Sequence, residues 1–186
     1  MRELSLNILD VAQNSVSAGA SRIEIDVLED TAAHTLTIRI ADNGRGMDEE
    51  TVRRLPDPFY TTRTTRKVGM GVPFYLLAAE QTGGSVRIDS VPAPDPRHGT
   101  VITAVFRTDH IDSTPLGDII STVTTLIHGY PDIDLTFTHT FPDHEVALST
   151  RQIKEMLGDI PINSLEILNW IRDFLEEQYH QSQKEG

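Results

Sequence analysis

Hydrophobic and polar positions alternate with two different periods in the first hundred residues. Apolar residues recur at the spacing of a helix face over residues 4–18, and Gly19 is a typical helix stop. Strict alternation over 22–28 and again over 35–41 predicts two strands with one buried face each, joined by a turn at 29–34. This part of the chain therefore begins helix, strand, strand.

A loop region with three glycines and two prolines follows. Glycine and proline residues, which commonly end helices and strands, then predict the remaining elements up to residue 107. They are a short helix at 48–55, a helix at 71–81, strands at 85–90 and 100–107, and a proline-rich turn at 91–99.

The pattern changes after residue 107. Thr114 followed by Pro115 is typical of a helix N-cap and first helical position, and predicts a helix to about His128. A hairpin and two helices complete the prediction. The hairpin strands are 133–141 and 145–148, one helix is capped by Ser149 or Thr150 and ends at Leu157, and the last is capped by Asn163 or Ser164 and ends near His180.

Length and composition bound the class of protein. The 186 residues suffice for one domain with a small appendage. No apolar run reaches the roughly 18 residues of a membrane span, and the first residues lack a signal-peptide pattern. Cysteine is absent, so the chain has no disulfide, thiolate nucleophile or cysteine-bound metal. We expect a cytoplasmic protein without a membrane partner.

The net charge of −12 is unevenly spread. Residues 107–186 carry 14 acidic and 5 basic residues, so a polyanion would be repelled and nucleic acid is not an expected partner. The acidic part is either a solvated surface or a docking site for a basic partner.

The run Asp42-Asn43-Gly44-Arg45-Gly46-Met47 directly follows a predicted strand. Its glycines permit backbone conformations closed to other residues and let a planar ligand approach the main chain. A carboxylate at the strand end can accept a hydrogen bond from an exocyclic amine. An ordinary Asn-Gly turn explains the same residues, and the run alone does not decide between the two.

A second glycine run, Gly69-Met70-Gly71, precedes a predicted helix. Free backbone N–H groups and the helix dipole favour an anion at such a start. The segment before it, residues 61–67, is basic and rich in hydroxyls in an otherwise acidic chain. It suits either a lid over a triphosphate or a solvated loop.

Asp10 and Asn14 lie four residues apart on the first predicted helix and share one face. An amide oxygen can ligate Mg²⁺, which prefers oxygen ligands and keeps several waters. A carboxylate one turn earlier can orient or deprotonate a water as a general base. A plain polar helix face is the alternative.

The order and spacing of these three features resemble the GHKL superfamily of ATP-binding domains, which includes DNA gyrase, the heat-shock chaperone ATPase, MutL and histidine kinases. Residues 10–20 resemble the N-box, closest to the MutL version, and 42–46 resemble the first glycine box. Residues 57–62 resemble the F-box of histidine kinases, and 69–72 their second glycine box. The resemblance covers nearly all of residues 1–106.

The resemblance implies a Bergerat-type α/β (α+β) two-layer sandwich with a mixed sheet in residues 1–107, and a small α+β extension in 108–186. It implies that Asn14 holds Mg²⁺ and that Asp42 binds the adenine amine of ATP, partly through water. The other residues implied to contact the nucleotide are Ala18, Gly44, Gly46, Met47, Phe59, Thr62, Arg63, Arg66, Lys67, Gly69, Met70, Gly71, Val72 and Thr100.

Departures from the pattern bear on activity. Hydrolysing members have Glu where Asp10 stands, and the shorter side chain would hold the attacking water less well, so hydrolysis is expected to be slow. Lys67 stands where the kinase box often has another glycine.

Three function classes stay open. A complete sensor histidine kinase is not expected, because the N-box helix begins at Met1 and leaves no room for a dimerising hairpin. His110, followed by Thr114-Pro115, resembles a phosphoacceptor box. The interpretation of Thr114-Pro115 as a helix N-cap and first helical residue explains the same residues. A serine kinase of the anti-sigma type is the second class, but its N-box usually has Glu.

The third class is an ATP-driven accessory module whose extension contacts a partner or forms a homodimer. The overall plan resembles free-standing proteins encoded beside bacterial iron-hydrogenase subunits, which implies a redox enzyme subunit as partner.

Overall fold

The computed structural model describes residues 3–56 and 71–182, and the side chains of 3–56 and 71–181. Secondary structure in these ranges follows the predicted order closely. The elements are α1 (Leu4–Ser17), β1 (Arg22–Asp30), β2 (Thr35–Asp42), α2 (Glu49–Arg54), α3 (Gly71–Gln81), β3 (Ser85–Val91), β4 (Gly99–Arg107), α4 (Ile119–Gly129), β5 (Asp134–Thr140), β6 (Glu145–Ser149), α5 (Thr150–Leu157) and α6 (Leu165–Ser182).

The strands form one six-stranded sheet in the order β3-β4-β2-β1-β5-β6. Strand β5 runs parallel to β1, and all other neighbours are antiparallel, so the predicted mixed sheet is confirmed. Because β5 pairs directly with β1, the region predicted as an extension continues the same sheet.

The two faces of the sheet differ in burial. Val27, Ile38 and Ala104 are aligned across three strands and are all buried. Their neighbours Asp26 and Arg39 face the other side, are partly exposed and form a 2.7 Å ion pair. The buried face joins the apolar sides of α1, α3, α4 and α6 in one core. This two-layer α/β arrangement is the predicted fold class.

The start of α1 explains why one predicted helix boundary is wrong. The backbone N–H groups of Leu4 and Ser5 donate to the carbonyls of Pro115 and Leu116, at 2.9 and 2.8 Å. Those carbonyls accept from the first N–H groups of helix α1, which has no side-chain cap. The segment around Pro115 is neither helix nor strand.

Helix α4 instead begins at Ile119, with Asp118 as its N-cap. The Asp118 carboxylate accepts from the backbone N–H of Ser121 at 2.9 Å and from its hydroxyl at 2.6 Å. These hydrogen bonds lower the pKa of Asp118. The N-cap of α4 is therefore Asp118, and the prediction that Thr114 caps this helix is wrong.

Smaller differences concern strand lengths. Strand β1 continues to Asp30, two residues further than predicted, and pairs with β2 up to Thr35. Asp48 is the N-cap of α2 rather than its first residue.

Within the described ranges, no helix combines the length and the apolar composition needed to cross a lipid bilayer.

Candidate functional site

A cavity of about 560 Å³ opens where β2 ends beside α1 and the start of β4. This volume lies within the usual range for small-molecule sites, about 300–1,000 Å³. Its walls combine the apolar Val11, Ile40 and Ile102 with the polar Asp42 and Thr100. A separate core crevice of about 10 Å³ between α4 and β5 is nearly all apolar and too small for a ligand.

Asp42 is the last residue of β2 and is held in a fixed orientation at this cavity. Its Oδ2 accepts a 2.6 Å hydrogen bond from the Ser15 hydroxyl, and its Oδ1 accepts one from the Gly44 backbone N–H at 2.9 Å. Each carboxylate oxygen can accept a further hydrogen bond. Asp42 can therefore present acceptors to a ligand N–H group without reorienting.

Sheet register brings hydroxyl groups next to this carboxylate. Asp42 is aligned with Thr100 on β4, and Thr100 with Ser90 on β3. The Thr100 and Ser90 hydroxyls are 2.8 Å apart, and the Ser90 hydroxyl also accepts from the backbone N–H of Met47 at 2.8 Å. Thr100 and Met47, which line the cavity, are thus joined through Ser90 by a short polar network at the end of an apolar sheet face.

The glycine turn, residues 44–47, contributes Arg45, Gly46 and Met47 to one side of the cavity, whereas Gly44 is not in its lining. Gly46 has φ +66°, and a Cβ atom built on it would lie 1.9 Å from the carbonyl oxygen of Val91. Only glycine fits both the backbone conformation and this close approach. Gly46 and Met47 line the cavity.

Asn43, between the carboxylate and the turn, has a different role. Its Oδ1 accepts from the backbone N–H groups of Ser21 and Arg22, at 2.9 and 2.8 Å. Its Nδ2 donates to the Ser21 hydroxyl at 2.9 Å. Asn43 therefore ties the turn to the α1–β1 connection.

The predicted magnesium and base residues lie on α1. Asn14 lines the cavity, and so does Ala18 one turn later. Asp10 is exposed and lies beside the cavity, where Gly71 packs against it so closely that a Cβ on Gly71 would approach the Asp10 Cβ to 2.7 Å. The start of α3 is thereby brought to the predicted Asp10–Asn14 face.

Val72, the second residue of α3, is 6% exposed and lines the cavity. The other predicted residues of this region lie outside the described residues. They are Phe59, Thr62, Arg63, Arg66, Lys67, Gly69 and Met70.

Several cavity residues were missed by reasoning from the sequence. Ser15 is 4% exposed, and a hydroxyl on the buried face of α1 was a usable signal for a polar partner. Pro92 and Ala93 line the cavity, and Ser90 contacts Thr100 and Met47 at its edge. They carried no comparable signal, because the pairing of β3 with β4 and the loop between these strands bring them there.

His110 lies far from this cavity. Thr100 is at the cavity and Arg107 ends β4, about 23 Å away at roughly 3.3 Å per residue. The backbone N–H of Asp112 donates to His110 Nδ1 at 3.1 Å. The neutral ring then carries its proton on Nε2, and its one lone pair is engaged. This geometry disfavours His110 as a phosphoryl acceptor from the same chain.

Replacing Ser15 with alanine should weaken binding of the nucleotide that the sequence resemblance implies by about tenfold or more, because a hydrogen bond to a charged acceptor is worth about 1.5–3 kcal/mol. The reason is that Asp42 Oδ2 would lose the contact that orients it. Isothermal titration calorimetry measures the change, with Ser85→Ala, an exposed serine at the start of β3, as the control. Equal affinities for Ser15→Ala and the wild type would contradict this role.

A mixed α/β sheet covered on one face, with a glycine turn and a fixed carboxylate at a strand end, fits the ATPase-type domain of histidine kinases that the sequence resembles. Residues 1–110, more than half of the chain, match the family described as histidine kinase-, DNA gyrase B-, and HSP90-like ATPase. The chain belongs to this family.

Individual relatives are sensor kinases. The chain is 36% identical over 58 residues to the sensor protein kinase FleS of Pseudomonas aeruginosa, covering 31% of this chain and 14% of that kinase. It is 29% identical over 98 residues to the sensor histidine kinase YvrG of Bacillus subtilis, covering 50% and 16%. The chain thus spans about a sixth or less of the length of these relatives.

Among solved structures, the mycobacterial sensor histidine kinase MprB is similar with a TM-score of 0.44 and 20% identity. The similarity covers 54% of this chain and 68% of that one.

Proposed function

We propose that this chain is a free-standing ATP-binding regulatory or accessory module that uses the cavity beside Asp42. The observation that supports this most directly is the Asp42 carboxylate, oriented by Ser15 and Gly44 at the edge of a cavity of nucleotide size. Membership of the ATPase family gives the ligand class.

The base half of the cavity suits adenine. Asp42 accepts a hydrogen bond from the exocyclic amine, directly or through water, while Ile40 and Ile102 offer apolar contact for the ring faces. A 6-oxo purine would place an acceptor against the carboxylate, and two acceptors repel each other. Selection for adenine over hypoxanthine or guanine follows.

The triphosphate half is proposed to lie towards Asn14 and the start of α3. Asn14 offers an amide oxygen for Mg²⁺, and Mg²⁺ bound there would offset phosphate charge. Gly71 and Val72 bring the positive end of the α3 dipole to the same place. Arg63, Arg66 and Lys67 lie outside the described residues, and the resemblance supports a proposed role for them in binding the phosphates.

Asp10 is the candidate general base for hydrolysis. It lies one helical turn before Asn14 and contacts the start of α3. Its short side chain predicts slow turnover, which suits a module that responds to bound nucleotide more than one that consumes ATP rapidly. The alternative is a protein kinase of the anti-sigma serine type or the histidine type, transferring the γ-phosphoryl group to a partner.

The partner contact is proposed to involve the strands and helices after residue 107. This region is strongly acidic and extends the sheet beyond β1. A protein partner in the cytoplasm, such as a redox enzyme subunit, or a second copy of the chain would dock there. The support is the resemblance to free-standing proteins of this plan.

Replacing Asn14 with alanine should remove the Mg²⁺-dependent part of ATP affinity, a loss of about tenfold for one contact to a charged group. Affinity in excess chelator should be the same for this variant and the wild type. Titrations of both proteins with ATP, with and without Mg²⁺, measure the effect. An unchanged Mg²⁺ dependence would contradict the assignment of Asn14.

Competition among nucleotides tests the proposed ligand. Wild-type protein should bind ATP in preference to ITP and GTP by at least about tenfold, the worth of one contact to a carboxylate. Equal affinities for the three nucleotides, or no detectable binding of any of them, would contradict the proposed ligand.

Labelled ATP tests the use of the nucleotide. Slow release of free phosphate with unlabelled protein supports an ATPase or switch. Label on a partner serine supports the anti-sigma type, and acid-labile label on a histidine supports the histidine type.

A further inference from the structure

The glycine turn is held from two sides. On one side is α1: the backbone N–H of Arg45 donates to the carbonyl of Ala18 at 2.9 Å. On the other side is the β3–β4 loop, residues 92–98, whose Ala93 N–H donates to the Arg45 carbonyl at 2.8 Å. The turn that carries the base-binding residues is therefore fixed partly by a loop that lies about fifty residues later in the chain.

His98 makes the shortest of these contacts. Its Nδ1 lies 2.6 Å from the carbonyl oxygen of Gly44. A carbonyl oxygen can only accept, so Nδ1 carries the proton and donates. Gly44 is buried, so its carbonyl would pay a desolvation cost without this partner.

The loop that presents His98 is itself braced. Asp95 accepts two hydrogen bonds from the Arg97 side chain, at 3.2 and 3.0 Å, and its backbone carbonyl accepts from the His98 N–H at 2.9 Å. The Arg97 hydrogen bonds lower the pKa of Asp95 to about 2. Asp95 therefore stays ionised over the physiological range, and the imidazole is presented from a turn closed by its own ion pair.

The contact reaches the proposed base-binding carboxylate through one residue. Gly44 accepts from His98 through its carbonyl and donates to Asp42 Oδ1 through its N–H, at 2.9 Å. The peptide joining Gly44 and Arg45 is held at both ends, by His98 and by Ala18. Loss of the His98 contact would leave that peptide held only through the Arg45 N–H and would loosen the orientation of Asp42.

We propose that His98 is a positioning residue for nucleotide recognition, which fixes the glycine turn and thereby aims Asp42 at the exocyclic amine of adenine. This inference rests on the proposed function of the cavity. His98 acts through Gly44 and Asp42, and the sequence gives no sign of it because the two partners are 54 positions apart.

Two near-isosteric replacements separate positioning from packing. The amide nitrogen of asparagine occupies the place of His Nδ1, and that of glutamine the place of Nε2. His98→Asn should bind ATP within about twofold of the wild type, whereas His98→Gln and His98→Ala should bind about fivefold to tenfold more weakly. Calorimetric titration of the full chain with ATP and Mg²⁺ measures all three, with the exposed His128→Ala as control.

Titration with ITP gives the second readout. Because His98 acts through the contact to the amine, which ITP lacks, His98→Ala should change ITP affinity by less than about twofold. Thermal unfolding without nucleotide checks that each variant is folded. If His98→Ala does not fold, the comparison of the Asn and Gln variants still decides.

Three results overturn the inference while leaving the proposed function intact. They are wild-type ATP affinity in His98→Ala, equal affinity in the Asn and Gln variants, and equal losses for ATP and ITP. If the wild type binds no ATP, the proposed function fails first and this inference fails with it.

Discussion

Replacing Gly46 with alanine is expected to destabilise the protein by about 3–4 kcal/mol and to abolish detectable ATP binding. Gly46 has φ +66°, where an L-residue is strained, and its Cβ would lie 1.9 Å from the Val91 carbonyl oxygen. Backbone, unlike a side chain, cannot rotate away from such a contact. The glycine turn and the β3–β4 loop would have to separate, which opens the base half of the cavity.

Substitution of Gly19 measures the cost of backbone strain without a steric clash. Gly19 has a similar φ of +77°, but no atom lies within 4 Å of a Cβ built there. Gly19→Ala should therefore cost only the conformational strain, about 1–2 kcal/mol, and leave ATP affinity unchanged. Urea unfolding followed by the single tryptophan, Trp170, gives both values. Equal destabilisation by the two substitutions would show that the contact with Val91 is unimportant.

Replacing Asp42 with asparagine is expected to weaken ATP binding about 10- to 100-fold with little change in stability. The wild-type carboxylate accepts from Ser15 and from Gly44. An asparagine side chain has only one acceptor oxygen, so its NH₂ group must face either Ser15 or Gly44. The Ser15 hydroxyl can rotate to accept from the NH₂ group. The Gly44 N–H is a fixed donor and cannot. In the compatible orientation the oxygen stays with Gly44, and the ligand amine loses much of its charged acceptor.

The matched control for Asp42→Asn removes the same charge elsewhere. Asp89 lies on β3 and is exposed, paired with Arg87. Asp89→Asn should leave ATP affinity within about twofold, because exposed ion pairs contribute little and the site is on the other face. Titration calorimetry compares the three proteins. An Asp42→Asn variant that binds ATP like the wild type would remove Asp42 from the site.

Local patterns predicted the parts of the fold and site that neighbouring residues determine. Helix α1 and strands β1 and β2 follow from apolar periodicity, and Asp42 was predicted as a site residue because a carboxylate and two glycines directly follow a strand. Asn14, Met47 and Thr100 line the same cavity as Asp42 because sheet register and helix α1 bring them together.

Long-range pairings could not be predicted in this way. Nothing local indicates that β5 lies parallel to β1, or that Pro115 and Leu116 supply the carbonyls that α1 requires at its start. The second case accompanies the later start of α4, since the carbonyls of Pro115 and Leu116 accept from α1 and not from residues further along their own segment. The hydrogen bonds from the β3–β4 loop to the glycine turn are also long-range and could not be predicted from local patterns.

The central claim is that ATP occupies the cavity beside the glycine turn, and glycine amide resonances report on it directly. The chain has 12 glycines, of which Gly44 and Gly46 lie at the turn, whereas Gly129 and Gly158 have open space around them at helix ends. In protein labelled with ¹⁵N-glycine, addition of ATP and Mg²⁺ should shift the Gly44 and Gly46 signals and leave those of Gly129 and Gly158 in place. Saturable shifts confined to Gly129 and Gly158, or no shifts at all, would contradict the claim.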